Sequence, residues 1–167
     1  LFGRSLFDVQ LLARGFDFSL GKDKVVLQQK TIHNYVTSDF VQVTPDAPST
    51  QVVDKLLAAD QTEAYVVSSQ HTFLGQVTLT ELLKIRRTDT GDDPLVGDLA
   101  QHEQLTLTDM TSIFSAMKKV EDFVGESIPV VSAEDHLKLV GVIPEGNIFK
   151  AYSDAIGEIR EEEYGDS

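Results

Sequence analysis

The sequence predicts an α/β (α+β) fold made from two copies of one β-α-β-β-α unit, and three observations carry that prediction. The same order of strand, helix, two strands and helix runs from Ile32 to about Arg86 and again from Val96 to about Ala155. The pairs Val66-Val67 and Val130-Val131, with Leu74-Gly75 and Val140-Gly141, set the copies 64 to 66 residues apart. The composition is 41% hydrophobic over 167 residues, and a chain of that length removes roughly 70% of its unfolded surface from water. One copy alone is a small sheet under a single helical layer. It leaves an apolar face that a second copy covers, so the two are expected to pack as one pseudo-symmetric module.

The elements follow in order. Leu6, Val9 and Leu12 have helical spacing, so Ser5 to Ala13 is an expected helix that Gly15 ends. Phe16, Phe18 and Leu20 alternate, a turn is expected at Gly21-Lys22-Asp23, and an apolar stretch Val25-Val26-Leu27 comes after it. The first copy opens with a short helix at Ile32 to Val36 and a strand at Phe40 to Val43. The turn Thr44-Pro45-Asp46-Ala47-Pro48 leads to a helix carrying Val52, Val53, Leu56 and Leu57. Strands at Ala64 to Val67 and Phe73 to Val77 flank a hairpin loop, and a helix runs from Thr80 to about Arg86. The second copy opens at Val96 to Leu99 and repeats the order. It has a strand at Gln104 to Leu107, a helix with Ile113, Phe114, Met117 and Val120, strands at Ile128 to Val131 and Lys138 to Ile143, and a helix from Asn147 to about Ala155. The resulting organisation is a lead-in helix and linker over 1–31, a first motif over 32–88, a linker over 89–95, a second motif over 96–157 and an acidic tail over 158–167 that is expected to fray.

Charge and residue inventory remove several function classes. Formal net charge is −13, from 14 basic and 27 acidic residues. No Lys/Arg stripe reverses it locally, so a phosphate backbone is repelled and nucleic acid is not an expected partner. There is no cysteine, which excludes disulfides and thiolate metal sites. No run of about 18 apolar residues is present to span a bilayer, and the opening Leu1 to Ser5 lacks the order of a signal peptide. His33, His71, His102 and His136 are scattered at spacings that match no ligand pair. No Gly-rich phosphate loop or nucleophile elbow occurs, and Asp92-Asp93 in the linker reads as solvated. No catalysis is expected.

The two copies resemble CBS motifs, which in tandem form a Bateman module. The residues carrying the resemblance are Thr44-Pro45-Asp46 after the first strand, the paired valines, and Leu74-Gly75-Gln76-Val77-Thr78 leading to Glu81. In the second copy they are Ser127-Ile128-Pro129-Val130-Val131 and Leu139-Val140-Gly141-Val142-Ile143-Pro144 leading to Asn147. The stretch from Arg4 to Phe18, with Arg14-Gly15 before Phe16-Asp17, resembles the segment that follows the last membrane helix in chloride channels and transporters of the ClC family. A chain that starts at Leu1 rather than Met, just before this stretch, is what a tail cut from a longer protein would look like. The resemblance implies a regulatory and dimerising module on the cytoplasmic side of a bacterial inner membrane. Its implied partners are a second copy of itself and the membrane-embedded channel domain of the same chain.

CBS pairs often bind adenosine nucleotides, so the resemblance also implies ATP, AMP or ADP as ligands. Carried over by position, the pocket draws on Thr44, Thr62, Tyr65, Thr78 and Glu81 of the first copy and on Thr108, Ile128 and Asn147 of the second. Both signatures depart from the Ser/Thr-x-x-Asp pattern of the family. Glu81 stands where Asp would accept the ribose hydroxyls, and Pro144 and Asn147 stand where Thr and Asp would. Losing a charge-assisted hydrogen bond costs about 1.5 to 3 kcal/mol, tenfold or more in affinity. Thr78-x-x-Glu81 before Leu82-Leu83 is also a capping box, which needs no ligand, and Tyr65 in an apolar strand is expected to pack in the core. The expectation is therefore weak or absent nucleotide binding. The alternative is a nucleotide-sensing CBS pair of another membrane transporter. The exposed faces of the helices Val52 to Leu57 and Ile113 to Val120 are the expected self-association surface.

Overall fold

The computed structural model describes residues 22–87, 91–102 and 104–165. The expected helix Ser5 to Ala13, the alternating Phe16 to Leu20 and Arg14-Gly15 lie outside the described residues. Two three-stranded sheets and the helices around them make a mixed α/β architecture. By contacts, the described chain divides into two units. One takes the residues up to Val36, Asp109–Ile128 and those from Ile143 onward, and the other takes Thr37–Thr108 and Pro129–Val142.

In the second of these units the first sheet has the order β1 (Val41–Val43), β2 (Glu63–Val67), β3 (Phe73–Thr78). β1 runs parallel to β2 with Val43 opposite Val66, and a parallel pair requires a crossover. Helix α2 (Ser49–Ala59) supplies it, burying Val52, Val53 and Leu56. The helix stops at Asp60, whose left-handed backbone (φ 53°) lets its N–H reach the carbonyls of Leu56 and Leu57. Central β2 is buried along its whole length, and its apolar residues are accordingly nearly continuous rather than alternating. β3 pairs antiparallel to it and leads into α3 (Leu79–Arg87). The short helix α4 (Val96–Leu99) follows the linker. Its Val96, with Ala100, is buried in the same core as Val43, Val52 and Val66, although the repeat assigns both residues to the second copy.

The second sheet has the order β4 (Leu107–Thr108), β5 (Ser127–Val131), β6 (Leu139–Pro144), with β4 parallel to β5. β4 is shorter and later than the expected Gln104 to Leu107 strand. Leu107 is buried, whereas Gln104 and Leu105 are only half-buried and do not join the ladder.

The other unit packs α1 (Lys22–Gln29), α5 (Ile113–Val120) and α6 (Glu145–Gly165) against one another. Helix α1 corrects the sequence reading, because Lys22 and Asp23 open a helix instead of a turn. Asp23 in its first turn suits the helix dipole, and an isolated helix of this length is marginal in water. Burial of Leu27 at 2% exposure against its neighbours therefore decides the conformation. Helix α6 is also longer than expected. It continues past Ala155 to Gly165 with Ile159 buried, where the acidic tail was expected to fray.

Candidate functional site

The residues singled out by the resemblance are best taken where they sit. Thr78 ends β3 and Glu81 lies in the first turn of α3, and together they close a reciprocal capping box. Thr78 Oγ1 accepts the Glu81 N–H at 3.2 Å, and Glu81 Oε2 accepts the Thr78 N–H at 3.3 Å. The other carboxylate oxygen accepts from Gln101 Nε2 at 2.7 Å. Both oxygens of Glu81 thus already hold protein donors. The sequence reading had not picked out Gln101. Its approach depends on Gly75, where an added Cβ would stand 2.6 Å from the Gln101 carbonyl oxygen, and a Gly opposite a close backbone is the one signal that could have found it.

Thr62 is exposed just before β2, and its carbonyl accepts the Leu79 N–H at 2.8 Å. The β2–β3 pairing, with Glu63 opposite Thr78, therefore brings Thr62, Thr78 and Glu81 to one end of the sheet. Thr44 is at the other end. It follows Val43, which pairs with Val66, so the five residues from Thr62 to the level of Thr44 span about 16 Å at strand rise. Thr44 lines a groove of about 220 Å³ with Gln42, Asp46, Gln51 and Lys55. An apolar groove of about 310 Å³ lies beside Glu81, lined by Val77, Leu82, Lys84, Ile85 and Leu99.

Tyr65 is in the core at 1% exposure. Its ring meets Phe40 edge-on at 5.5 Å and Phe73 at 6.2 Å, and its hydroxyl donates to Glu63 Oε2 at 3.0 Å. Glu63, a carboxylate 9% exposed, is a second residue the sequence reading passed over. Only its position two residues from Tyr65 on one face of a strand hints at the pair. Thr108 closes β4 opposite Val131 and is half-buried.

In the other unit Ile128 is fully buried. Asn147, in the first turn of α6, donates from Nδ2 to the Tyr35 carbonyl at 3.0 Å, so its amide is engaged within the fold. Tyr35 closes the 3₁₀ turn His33–Tyr35, and its hydroxyl donates to Asp154 at 2.8 Å. Burial first, then that hydrogen bond and the negative charges of Asp154 and Glu158, push the phenol up to about 12. Lys30 pairs with Glu158 beside it.

The carboxylate that the resemblance assigns to the ribose holds its own helix end and Gln101, and the amide it assigns to the equivalent position holds a backbone carbonyl. Among the described residues, no group of three or more His, Asp or Glu side chains is placed to hold a metal ion. No described helix is long and apolar enough to cross a membrane. Asp93 in the linker is exposed, as expected, and it also accepts from Ser49 Oγ at 2.7 Å, from the Thr50 N–H at 3.1 Å and from the Thr50 hydroxyl. Those three donors, the Thr50 hydroxyl foremost, hold its carboxyl below the usual range.

Comparison with known proteins agrees with this fold. No curated protein matches the chain by sequence. Among solved structures, the CBS-pair protein CBSX2 from Arabidopsis thaliana superposes with a TM-score of 0.64 at 22% identity, covering 75% of this chain and 95% of that one; a further structure shows CBSX2 in complex with AMP. CbpB in complex with c-di-AMP gives a TM-score of 0.67 at 13% identity, over 84% of this chain and 96% of that one. The cytosolic domain of the Mg2+ channel MgtE in complex with ATP gives 0.62 at 18% identity, over 74% of this chain and 49% of that one. These likenesses establish the shared fold. The CBS domain pattern itself matches residues 32–87 and 96–154, both copies of the repeat, and the chain belongs to the CBS domain family as a tandem pair.

Proposed function

We propose that this CBS pair is the cytosolic regulatory and dimerisation module of a chloride channel or transporter, with weak or absent binding of ATP, AMP or ADP. The observation that carries the reading is the engagement of Glu81 and Asn147 inside the protein. A ribose at Glu81 would have to displace both the capping box and Gln101. The net charge of −13 adds a long-range repulsion for a polyphosphate. The channel assignment rests on the resemblance of Arg4 to Phe18 to the ClC lead-in, which also supports placement on the cytoplasmic face of an inner membrane.

Side-chain exposure favours one of the two candidate helices for self-association. On α2, Leu57 is 61% exposed, and on the neighbouring α3, Leu83 is 39% exposed. Helix α5 buries Ile113, Ala116, Met117 and Val120, and its outer face carries Lys118 and Lys119, so the face it offers is charged. Leu57 and Leu83 are therefore the apolar side chains that this pair of helices offers to an isologous contact. Sedimentation velocity at micromolar concentration tests this. Wild-type chain should sediment as a dimer, and Leu57→Asp should shift it to monomer by roughly tenfold or more in dissociation constant, since an unpaired charge in the interface costs several kcal/mol. Wild type that remains monomeric at high micromolar concentration would remove the dimerising part of the reading.

A second reading is a nucleotide-sensing CBS pair of another membrane transporter. The structures of CBSX2 with AMP, CbpB with c-di-AMP and the MgtE domain with ATP favour it, and the open groove at Thr44, with Lys55 on its rim, is where it would look for a ligand. A saturable calorimetric response to any of these nucleotides separates the two readings.

A further inference from the structure

Two backbone straps with one geometry are held in two different ways. In one unit, Lys30 to Ile32 lies along the start of α5. The Ile113 N–H donates to the Lys30 carbonyl, Thr31 bridges Ser112, and the Ile32 N–H donates to the Thr111 carbonyl. In the other unit, Pro94 to Val96 lies along the start of α2. The Ser49 N–H donates to the Pro94 carbonyl, Leu95 bridges Pro48, and the Val96 N–H donates to the Ala47 carbonyl. Every one of these partners is displaced by the same 64 residues between the copies.

The helix starts differ. At the N-cap of α5, the Ser112 side chain accepts the Ser115 N–H at 3.0 Å, so that helix caps itself. The equivalent N-cap of α2 is Pro48, which has the same extended backbone but no side-chain acceptor. Asp93 supplies the missing cap from the linker, accepting from Ser49 Oγ, the Thr50 N–H and the Thr50 hydroxyl. Its counterpart 64 residues earlier is Gln29, the last residue of α1. Beyond the strap, the Gly97 N–H donates to the Pro45 carbonyl at 2.9 Å, and a Cβ at Gly97 would stand 2.7 Å from Pro45 Cβ. The turn Thr44 to Pro48 is thus pressed between the strap and α2.

We infer that Asp93 is a latch, a positioning residue that caps α2 from the linker and so ties the opening of the second motif to the turn that carries Thr44. One carboxylate does two jobs, of which Ser112 does the first in the other copy. The cap completes the helix start, and the same bonds hold the strap down. When the latch opens, the helix loses its cap and residues 93–97 lose their anchor together, while the sheet beneath keeps its pairing. This makes the inter-motif linker a conformational coupling element independent of any ligand.

Hydrogen exchange on the intact chain tests the latch, with Asp93→Ala and the double variant Asp93→Ala/Pro48→Ser. In the single variant the amides of Ser49, Val96 and Gly97 should exchange tenfold or more faster, while those of Tyr65 and Val66 in β2 keep their protection. In the double variant Ser at the N-cap restores a cap of the Ser112 type. The first-turn amide of Gln51, placed as Ser115 is to Ser112, should become better protected than in the single variant while Val96 and Gly97 stay fast. Three results overturn the proposal. The strap amides stay as slow in Asp93→Ala as in wild type. The acceleration extends equally to β2, which marks a global loss of stability. Or Pro48→Ser restores the strap amides along with Gln51, which makes Asp93 a helix cap and nothing more.

Discussion

Tyr65 and Glu63 form the most deeply buried polar contact described in the first sheet, a phenol donating to a carboxylate at 3.0 Å inside a fully buried strand. A buried carboxylate that loses a donor loses part of the compensation for its desolvation. Tyr65→Phe keeps the ring contacts with Phe40 and Phe73, so the variant isolates that bond. It should lower unfolding stability by about 1 to 3 kcal/mol in urea melts. Tyr35 makes a different prediction. Its folded phenol is raised to about 12 by burial and by Asp154, above the unfolded value of about 10. A group raised on folding contributes stability that is present below its unfolded pKa and is lost as pH rises through the folded one. Wild type should therefore lose stability between about pH 10 and 12 through Tyr35, and the difference between wild type and Tyr35→Phe in melts across that range should shrink with rising pH. A constant difference would contradict the assignment of the shift.

At the scale of elements, the strap over α2 sets a tight steric limit. Gly97 faces Pro45 with a Cβ position 2.7 Å from Pro45 Cβ and 2.8 Å from its carbonyl oxygen. Gly97→Ala should cost about 1 to 3 kcal/mol by overpacking, visible as a lower melting temperature. The strands and helices of the repeat were legible because buried strands carry continuous apolar runs and the helices a period of 3.6: β2, α2 and β5 lie close to where Ala64-Val67, Val52-Leu57 and Ile128-Val131 place them. The misses share one cause, tertiary packing overriding a local pattern. Lys22–Gln29 is a helix because Leu27 has a core to enter, and Glu158 onward stays helical where Ile159 does the same. Capping by Asp93 was invisible because its donors are more than 40 residues away along the chain. Thr78 and Glu81 were legible as a cap because both partners sit within one turn.

For the whole molecule, the family and the repeat were readable from residue order, and so were the Thr78–Glu81 cap and the burial of Tyr65, whereas the distant partners of the candidate site were not. That Glu81, Asn147 and Tyr65 are engaged by Gln101, the Tyr35 carbonyl and Glu63 depends on contacts formed only after folding. These contacts make the central claim, a CBS pair that regulates through its own assembly rather than through a nucleotide, open to one direct measurement. Isothermal calorimetry of the purified chain with ATP, ADP and AMP, paired with melting curves at the same concentrations, should give flat heats and an unchanged melting temperature up to millimolar ligand. A saturable isotherm, with the rise of about 2.7 kcal/mol in stability that a ligand at 100 times its dissociation constant produces, would contradict it.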